Sequence, residues 1–107
     1  MKRVKRRYLA LQVDGEGAPS RRELLDAVWI AVTRLYGEYG ASMTGLALIN
    51  YDEGGKTGVL RTSLATLNLV RASIATIKSV AGNEAAVHVV AVSGTIKALH
   101  KKIPKQM

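Results

Sequence analysis

Between residues 8 and 13 apolar and polar positions alternate. Leu9, Leu11 and Val13 share one face, and Tyr8, Ala10 and Gln12 the other. A period of two predicts a strand. Residues 14–20 are rich in Gly, Pro and acid and predict a loop. The period then lengthens. Ser20 can cap a helix through the N–H of Arg22 or Glu23, and Glu23, three residues on, completes a capping box. That helix is predicted to run to about residue 36, with Leu25, Val28, Trp29, Val32 and Leu35 or Tyr36 on its buried stripe and Gly37 or Gly40 at its end.

Residues 41–51 predict a second strand and residues 57–64 a third. Residues 52–56 form the hairpin between them, where two glycines can take positive φ. A second helix is predicted over residues 66–81, burying Leu67, Val70, Ile74 and Ile77, with Gly82 and Asn83 stopping it. Residues 84–93 predict the fourth strand. Ser93, Gly94 and Thr95 turn the chain into a short basic helix over 96–102, and Pro104 follows.

The order βαββαβ plus a C-terminal helix predicts an α+β sandwich of the ferredoxin-like, RNA-recognition-motif-like kind. Its sheet would have four antiparallel strands with both crossover helices on one face. The other face offers small or apolar side chains, among them Tyr8, Ala10, Gly45, Ala47 and Ile49. A bare apolar face is a liability. It is therefore expected to be covered in part by the C-terminal helix or a protein partner, which makes Tyr8, Ala47 and Ile49 candidate partner contacts.

Composition sharpens this picture. A chain of 107 residues, 48% hydrophobic and 22% charged, fits one folded domain. We expect a basic arm over residues 1–7, a single domain over 8–103 and a tail over 104–107. Without cysteine, no disulfide scaffold or thiolate zinc site is possible. The N-terminus lacks the apolar core of a signal peptide, and no run approaches the ~18 apolar residues of a membrane span. The simplest expectation is a cytoplasmic protein with no membrane partner.

The net charge of +8 is unevenly spread. Residues 1–7 hold five basic residues and no acid. Residues 8–53 hold three basic against seven acidic, and residues 54–107 hold eight basic against Glu84 alone. A polyanion would therefore meet the N-terminal arm and the second half, and nucleic acid is the first such partner to consider. The candidate RNA-binding residues are Lys2, Arg3, Lys5, Arg6 and Arg7, then Lys56, Arg61, Arg71, Lys97, Lys101 and Lys102. Arg61 is singular, a guanidinium midway along a neutral strand. It is either paired with a carboxylate at a sheet edge or turned to RNA or a partner.

Catalytic constellations are poor. His88 lies in a valine-rich strand and His100 among lysines, too few for a metal site by themselves. Asp14 with Glu16, and Asp52 with Glu53, lie in glycine-flanked loops and read as turn residues. Gly54-Gly55-Lys56-Thr57 lacks the first glycine of a phosphate loop and joins two strands. An RNA-recognition motif stacks bases on aromatics of its sheet. The third strand here has none, and Tyr8 is the only candidate, so contact through phosphates and shape fits better. Trp29 and Tyr36 read as core or helix-interface residues.

Five segments carry a family resemblance. Arg7-Tyr8-Leu9-Ala10-Leu11 opens the first strand and Gly37-Glu38-Tyr39-Gly40-Ala41 follows the first helix. Gly58-Val59-Leu60-Arg61 lies in the third strand, Val70-Arg71-Ala72 in the second helix, and Val92-Ser93-Gly94-Thr95-Ile96-Lys97 ends the fourth strand. In this order and spacing, over about residues 5–100, they resemble the archaeal ribonuclease P protein component 2 family. The resemblance implies a non-catalytic subunit of the ribonucleoprotein that removes the 5′ leader of precursor tRNA. It implies that ribonuclease P RNA holds the Mg²⁺ and performs the hydrolysis, with no cofactor bound by this chain. It also implies a barrel-folded protein partner, component 3, in a two-plus-two heterotetramer that includes self-association. The alternative is a ferredoxin-like protein-interaction or regulatory domain, whose affinity for its partner would depend little on salt. An independent enzyme comes third, because no acid–base pair can be named.

Overall fold

A computed structural model describes residues 5–102. The elements are β1 (Arg6–Gly15), α1 (Arg21–Ser42), β2 (Ala47–Asp52), β3 (Thr57–Ser63), a 3-10 turn (Leu64–Thr66), α2 (Leu67–Ala75), β4 (Ser79–Val80), β5 (Asn83–Ser93) and α3 (Ile96–Lys102). The strands form one antiparallel sheet in the order β2-β3-β1-β5-β4. The sheet thus has five strands where the periodicity predicted four.

The extra strand comes from the end of the second predicted helix. α2 stops at Ala75 rather than near residue 81. Hydroxyls near its end bond the helix backbone themselves: Ser73 Oγ donates to the Leu69 carbonyl at 2.9 Å and Thr76 Oγ1 to the Ser73 carbonyl at 2.7 Å. Such local bonds compete with helix continuation. Ser79 and Val80 then pair with Glu84 and Asn83 around a two-residue turn. Both turn residues, Ala81 and Gly82, have positive φ, as a tight hairpin matched to strand twist requires. Gly82 is therefore a hairpin residue, not a helix stop.

α1 begins as predicted. Ser20 Oγ accepts from Glu23 N–H at 3.2 Å, and Glu23 Oε1 accepts from Ser20 N–H at 2.8 Å. The helix continues past the expected end, with one break at Gly37 (φ 77, ψ 173), and β2 accordingly starts at Ala47 rather than 41. Thr44, fully buried, locks this join. Its hydroxyl donates to the Ala41 carbonyl at 2.7 Å, and its own carbonyl accepts from Ser63 N–H at 2.8 Å and Thr62 Oγ1 at 3.1 Å. The buried stripe of α1 also differs from the predicted one. Leu24, Val28, Ala31 and Val32 face the core, while Trp29, Leu35 and Tyr36 are exposed. Both phases fit a helical period, and the sheet selects the one carrying Ala31, which lets α1 come close.

Helices α1 and α2 cover one face of the sheet. Leu9, Leu11 and Val13 of β1 meet Leu24, Val28, Val32, Leu60, Val70 and Ile74 there. On the other face α3 buries Leu99 completely against Ala10 and Val59, with Tyr8 and Ala91 beside them. The expected cover is thus partly intramolecular. Burying one leucine contributes about 1.5–3 kcal/mol.

The β2–β3 hairpin spans the predicted loop, but the positive φ falls on Lys56 (φ 55), not on Gly54 or Gly55. Asp52 Oδ1 accepts from Gly54 N–H at 3.1 Å, and a Cβ on Gly55 would lie 2.9 Å from Asp52 Oδ2. The glycines make room for that carboxylate. At the outer margin β2 carries a bulge at Ile49, between the Leu48–Leu60 and Asn50–Val59 pairs. The guanidinium of Arg21 donates to the Leu48 carbonyl. The opposite margin is the two-residue β4, and past it Lys102 Nζ donates to the Val92 carbonyl of β5 at 2.8 Å.

Candidate nucleic-acid interface

The pairing of β1 with its neighbours defines two ends of the sheet. At the first, Arg6 lies opposite Ser63, Arg7 opposite Thr62, and Tyr8 opposite both Arg61 and Ser93. Ala47 of β2 lies opposite Arg61, so Ala47, Arg61, Tyr8 and Ser93 form one cross-strand row. They lie on the face that α3 partly covers, since Tyr8 packs beside Leu99. α3 starts three residues after Ser93 and carries Lys97, His100, Lys101 and Lys102, all exposed. Cations in its last turn also complement the negative end of the helix dipole. Lys5 precedes β1, and its carbonyl accepts from Leu64 N–H at 2.8 Å.

This end thus gathers Lys5, Arg6, Arg7, Arg61, Lys97, Lys101 and Lys102 of the candidate RNA-binding set. No acidic residue occurs in residues 5–13, 57–63 or 87–102, which build it. Arg6 and Arg7 are strand residues, fixed by the ladder to β3. Arg7 Nη1 donates to the Arg6 carbonyl at 2.9 Å and lies over Gly94, where a Cβ would approach it to 3.4 Å. Arg61 has no carboxylate partner among the described residues, so the edge ion pair weighed for it does not form. Its Nε is sealed from solvent and makes no hydrogen bond.

Two candidates fall elsewhere. Lys56 sits at the other end of the sheet, donating from Nζ to the Gly15 carbonyl at 2.7 Å. Arg71 is exposed on α2, on a shallow cleft between that helix and β5. Lys2 and Arg3, with the tail residues 103–107, lie outside the described residues. Among the candidate partner contacts, Tyr8 and Ala47 share the row with Arg61, and Ile49 is the exposed bulge residue.

The second end of the sheet is acidic. Asp14 and Glu16, Asp52 and Glu53, and Glu84 lie there, with Lys56 and Lys78 among them and Arg21 and Arg22 at the start of α1 nearby. His88 Nε2 is 3.0 Å from Asp14 Oδ2, an exposed contact that becomes an ion pair when the imidazole is protonated. Tyr51 donates to the Pro19 carbonyl at 2.7 Å. Its phenol is pushed above its ordinary pKa, first by burial and then by the carboxylates of Glu53, Asp52 and Glu23. Among the described residues no three His, Asp or Glu side chains converge as metal ligands. No described helix is long and apolar enough to cross a membrane.

One surface escaped the sequence reading. Ile30 and Tyr39 on α1, and Met43 just past its end, are exposed along with Trp29 and Tyr36. The only signal was the second possible stripe, Leu24–Val28–Ala31, which leaves these side chains outside. Trp29 and Tyr36, read as core or helix-interface residues, therefore lie outside the core.

The chain matches the family model described as the Rpp14/Pop5 family over residues 7–104. It is 36% identical to a Pyrococcus furiosus protein named ribonuclease P protein component 2, over 97% of this chain and 87% of that one. It is 32% identical to a protein of the same name from Methanosarcina barkeri, over 94% of this chain and 73% of the other. Its fold is similar to that of a chain in the cryo-EM structure of yeast ribonuclease MRP. The TM-score is 0.72 at 17% identity, covering 89% of this chain and 78% of that one. The ordered motifs, the sheet they build and these relatives agree: the chain belongs to the Rpp14/Pop5 family.

Proposed function

We propose that this chain is a non-catalytic protein subunit of ribonuclease P, working in the cytoplasm on the RNA that removes the 5′ leader of precursor tRNA. One observation carries the mechanism: the described residues of one sheet end offer seven lysines and arginines and no acid. Cations fixed on strands and a short helix can neutralise phosphates that a folded RNA forces together. The RNA then reaches its active fold, and fills its own Mg²⁺ sites, at lower Mg²⁺. The protein supplies no group that does the cleavage.

We read the four long strands, in the order β2-β3-β1-β5, as a ferredoxin-like core to which β4 adds an edge. Tyr8 and Ala47 share their row with Arg61, so that surface cannot serve RNA and protein at once. The unopposed charge favours RNA over protein at this row. The exposed apolar side of α1 and the Ile49 bulge are left for a protein subunit, component 3, within a two-plus-two heterotetramer.

The test is reconstitution with ribonuclease P RNA and component 3. Adding this chain is expected to lower the Mg²⁺ needed for half-maximal cleavage of precursor tRNA. An unchanged Mg²⁺ requirement and an unchanged rate would sink the reading.

A further inference from the structure

The margin of the sheet on the β4 side is longer than β4 itself. β4 pairs only with Asn83 and Glu84, and one further bond runs from Ala85 N–H to the Lys78 carbonyl at 2.9 Å. β5 continues to Ser93, and from Ala86 to Ala91 no described strand lies on its outer side. The pairing shows which backbone groups are left over. Val13 N–H donates to the Lys56 carbonyl at 2.9 Å, toward β3, so Val13 and its partner Val87 exchange no bonds between β1 and β5. Counting by twos from Ala85, whose N–H points outward, gives the same direction. The N–H and C=O of Val87 and Val89 therefore point away from the sheet. A cleft of about 350 Å³ lies beside them. It is lined by Val87 and Val89 on the helix-covered face, by His88 on the other face, and by Arg71 and Ile74 of α2, so it opens along this margin.

We propose that this free stretch of β5 receives an extended acidic segment of a protein partner, which adds a strand beside residues 86–91. Its backbone would pair with Val87 and Val89, and alternate side chains would enter the cleft beside Ile74. Charge sets the sign of the partner. Lys78 precedes β4, Arg71 stands at the cleft, and Lys102 closes the far end, donating from Nζ to the Val92 carbonyl at 2.8 Å. Helices α2 and α3 and strands β4 and β5 together carry one acid, Glu84, on the stretch that β4 already pairs. Asp14 of β1 lies 3.0 Å from His88. Peptide is favoured over RNA here because donors and acceptors alternate along the margin, whereas a phosphate chain accepts only. A second copy is disfavoured because it brings the same cations to the same margin. The inference stands apart from the RNA-binding reading, and it gives Arg71 a role away from the basic end.

The experiment titrates the ¹⁵N-labelled full-length chain with a short capped peptide of alternating glutamate and valine. Saturable downfield shifts are expected at the Val87 and Val89 amides, and their hydrogen exchange should slow about tenfold at saturation. The same peptide N-methylated at every second residue keeps its charge and loses its backbone donors. It is expected to leave both amides unprotected. A peptide of alternating lysine and valine is expected not to bind. Arg71→Glu reverses the charge at the cleft on an exposed helix position and should weaken the glutamate peptide about tenfold.

If the glutamate peptide moves only amides of α3 and the start of β1, it is drawn by charge to the basic end and the proposal is wrong. Protection that survives N-methylation shows that no strand is added, and overturns it too. Equal binding of the lysine peptide, or of the glutamate peptide to Arg71→Glu, removes the acidic partner. If ribonuclease P RNA protects Val87 and Val89, the margin is a nucleic-acid contact. If raising the concentration of the chain alone protects them, it belongs to a second copy. Either result overturns the proposal and leaves the Mg²⁺ test of the RNA-binding reading untouched.

Discussion

The two ends of the sheet are built from the same four long strands and carry opposite charge. Where β1 begins, Arg6, Arg7 and Arg61 stand on the strands and the lysines of α3 stand beside them, with no acid in the segments that build that end. Where β1 ends, Asp14, Asp52 and Glu84 cluster, and Lys56 is tied to a backbone carbonyl. The separation runs along the strand axis, over a few residues of a ladder, so both ends are held on one stiff element. The net charge of the chain describes neither end. A polyanion approaching this molecule meets a field with a direction.

That contrast can be broken in stages. The largest effect is expected from Leu99→Ala, which removes the fully buried anchor of α3. It should loosen the helix by about 2–3 kcal/mol, the low end for a leucine lost from a core, because the satellite cluster is small. Hydrogen exchange of the α3 amides would rise well before global unfolding in urea shifts, and RNA affinity would fall as three lysines lose their platform. Unchanged α3 protection would mean the helix is held by something other than Leu99.

Next comes neutralising the basic end without touching the core. Arg6→Ala, Arg7→Ala and Lys97→Ala together should cost on the order of a hundredfold in RNA affinity at physiological salt. They should flatten the dependence of log affinity on log salt by about two to three. A slope that does not move would place the RNA elsewhere.

At the acidic end, Tyr51→Phe removes the bond to Pro19 and should cost about 1 kcal/mol of stability with RNA affinity unchanged. The pH dependence has a definite sign. The phenol is raised above its ordinary value of about 10, so the folded state holds that proton more tightly than the unfolded chain does. Its contribution is complete below pH ~10 and is lost as pH rises through the raised value. In urea melts between pH 9 and 11, the wild type should lose more stability than Tyr51→Phe. The smallest effect is expected from Lys56→Ala, with affinity changed less than about twofold, because its charge stands among acids at the far end. A loss equal to that of the triple substitution would dissolve the contrast between the ends.

Much of this could be read along the chain. The alternation of residues 8–13, the capping box at Ser20 and Glu23 and the uneven charge each rest on neighbours in sequence, where local physics is decisive. The remainder depended on tertiary choice. α1 has two apolar stripes, and only the sheet decides that Val28 with Ala31 goes in and Trp29 stays out. Residues 76–82 can continue a helix or form a hairpin, and the serine and threonine hydroxyls with Gly82 tilt the balance. At the candidate site Arg61 stood out as a charge amid a neutral strand. The burial of its Nε is a product of tertiary packing, which no spacing reveals. Lys56 and Arg71 were grouped with the other cations by sign alone, and the fold sends them elsewhere.

The margins of the sheet bear on how such a chain survives before it finds its RNA. A strand edge with free backbone groups invites pairing with another molecule and, in excess protein, aggregation. Here β2 is bent by the Ile49 bulge and its Leu48 carbonyl is already taken by Arg21, while β4 offers only two residues and Lys102 occupies the Val92 carbonyl beyond it. A free subunit, synthesised ahead of its ribonucleoprotein, can wait in solution without polymerising through its strands.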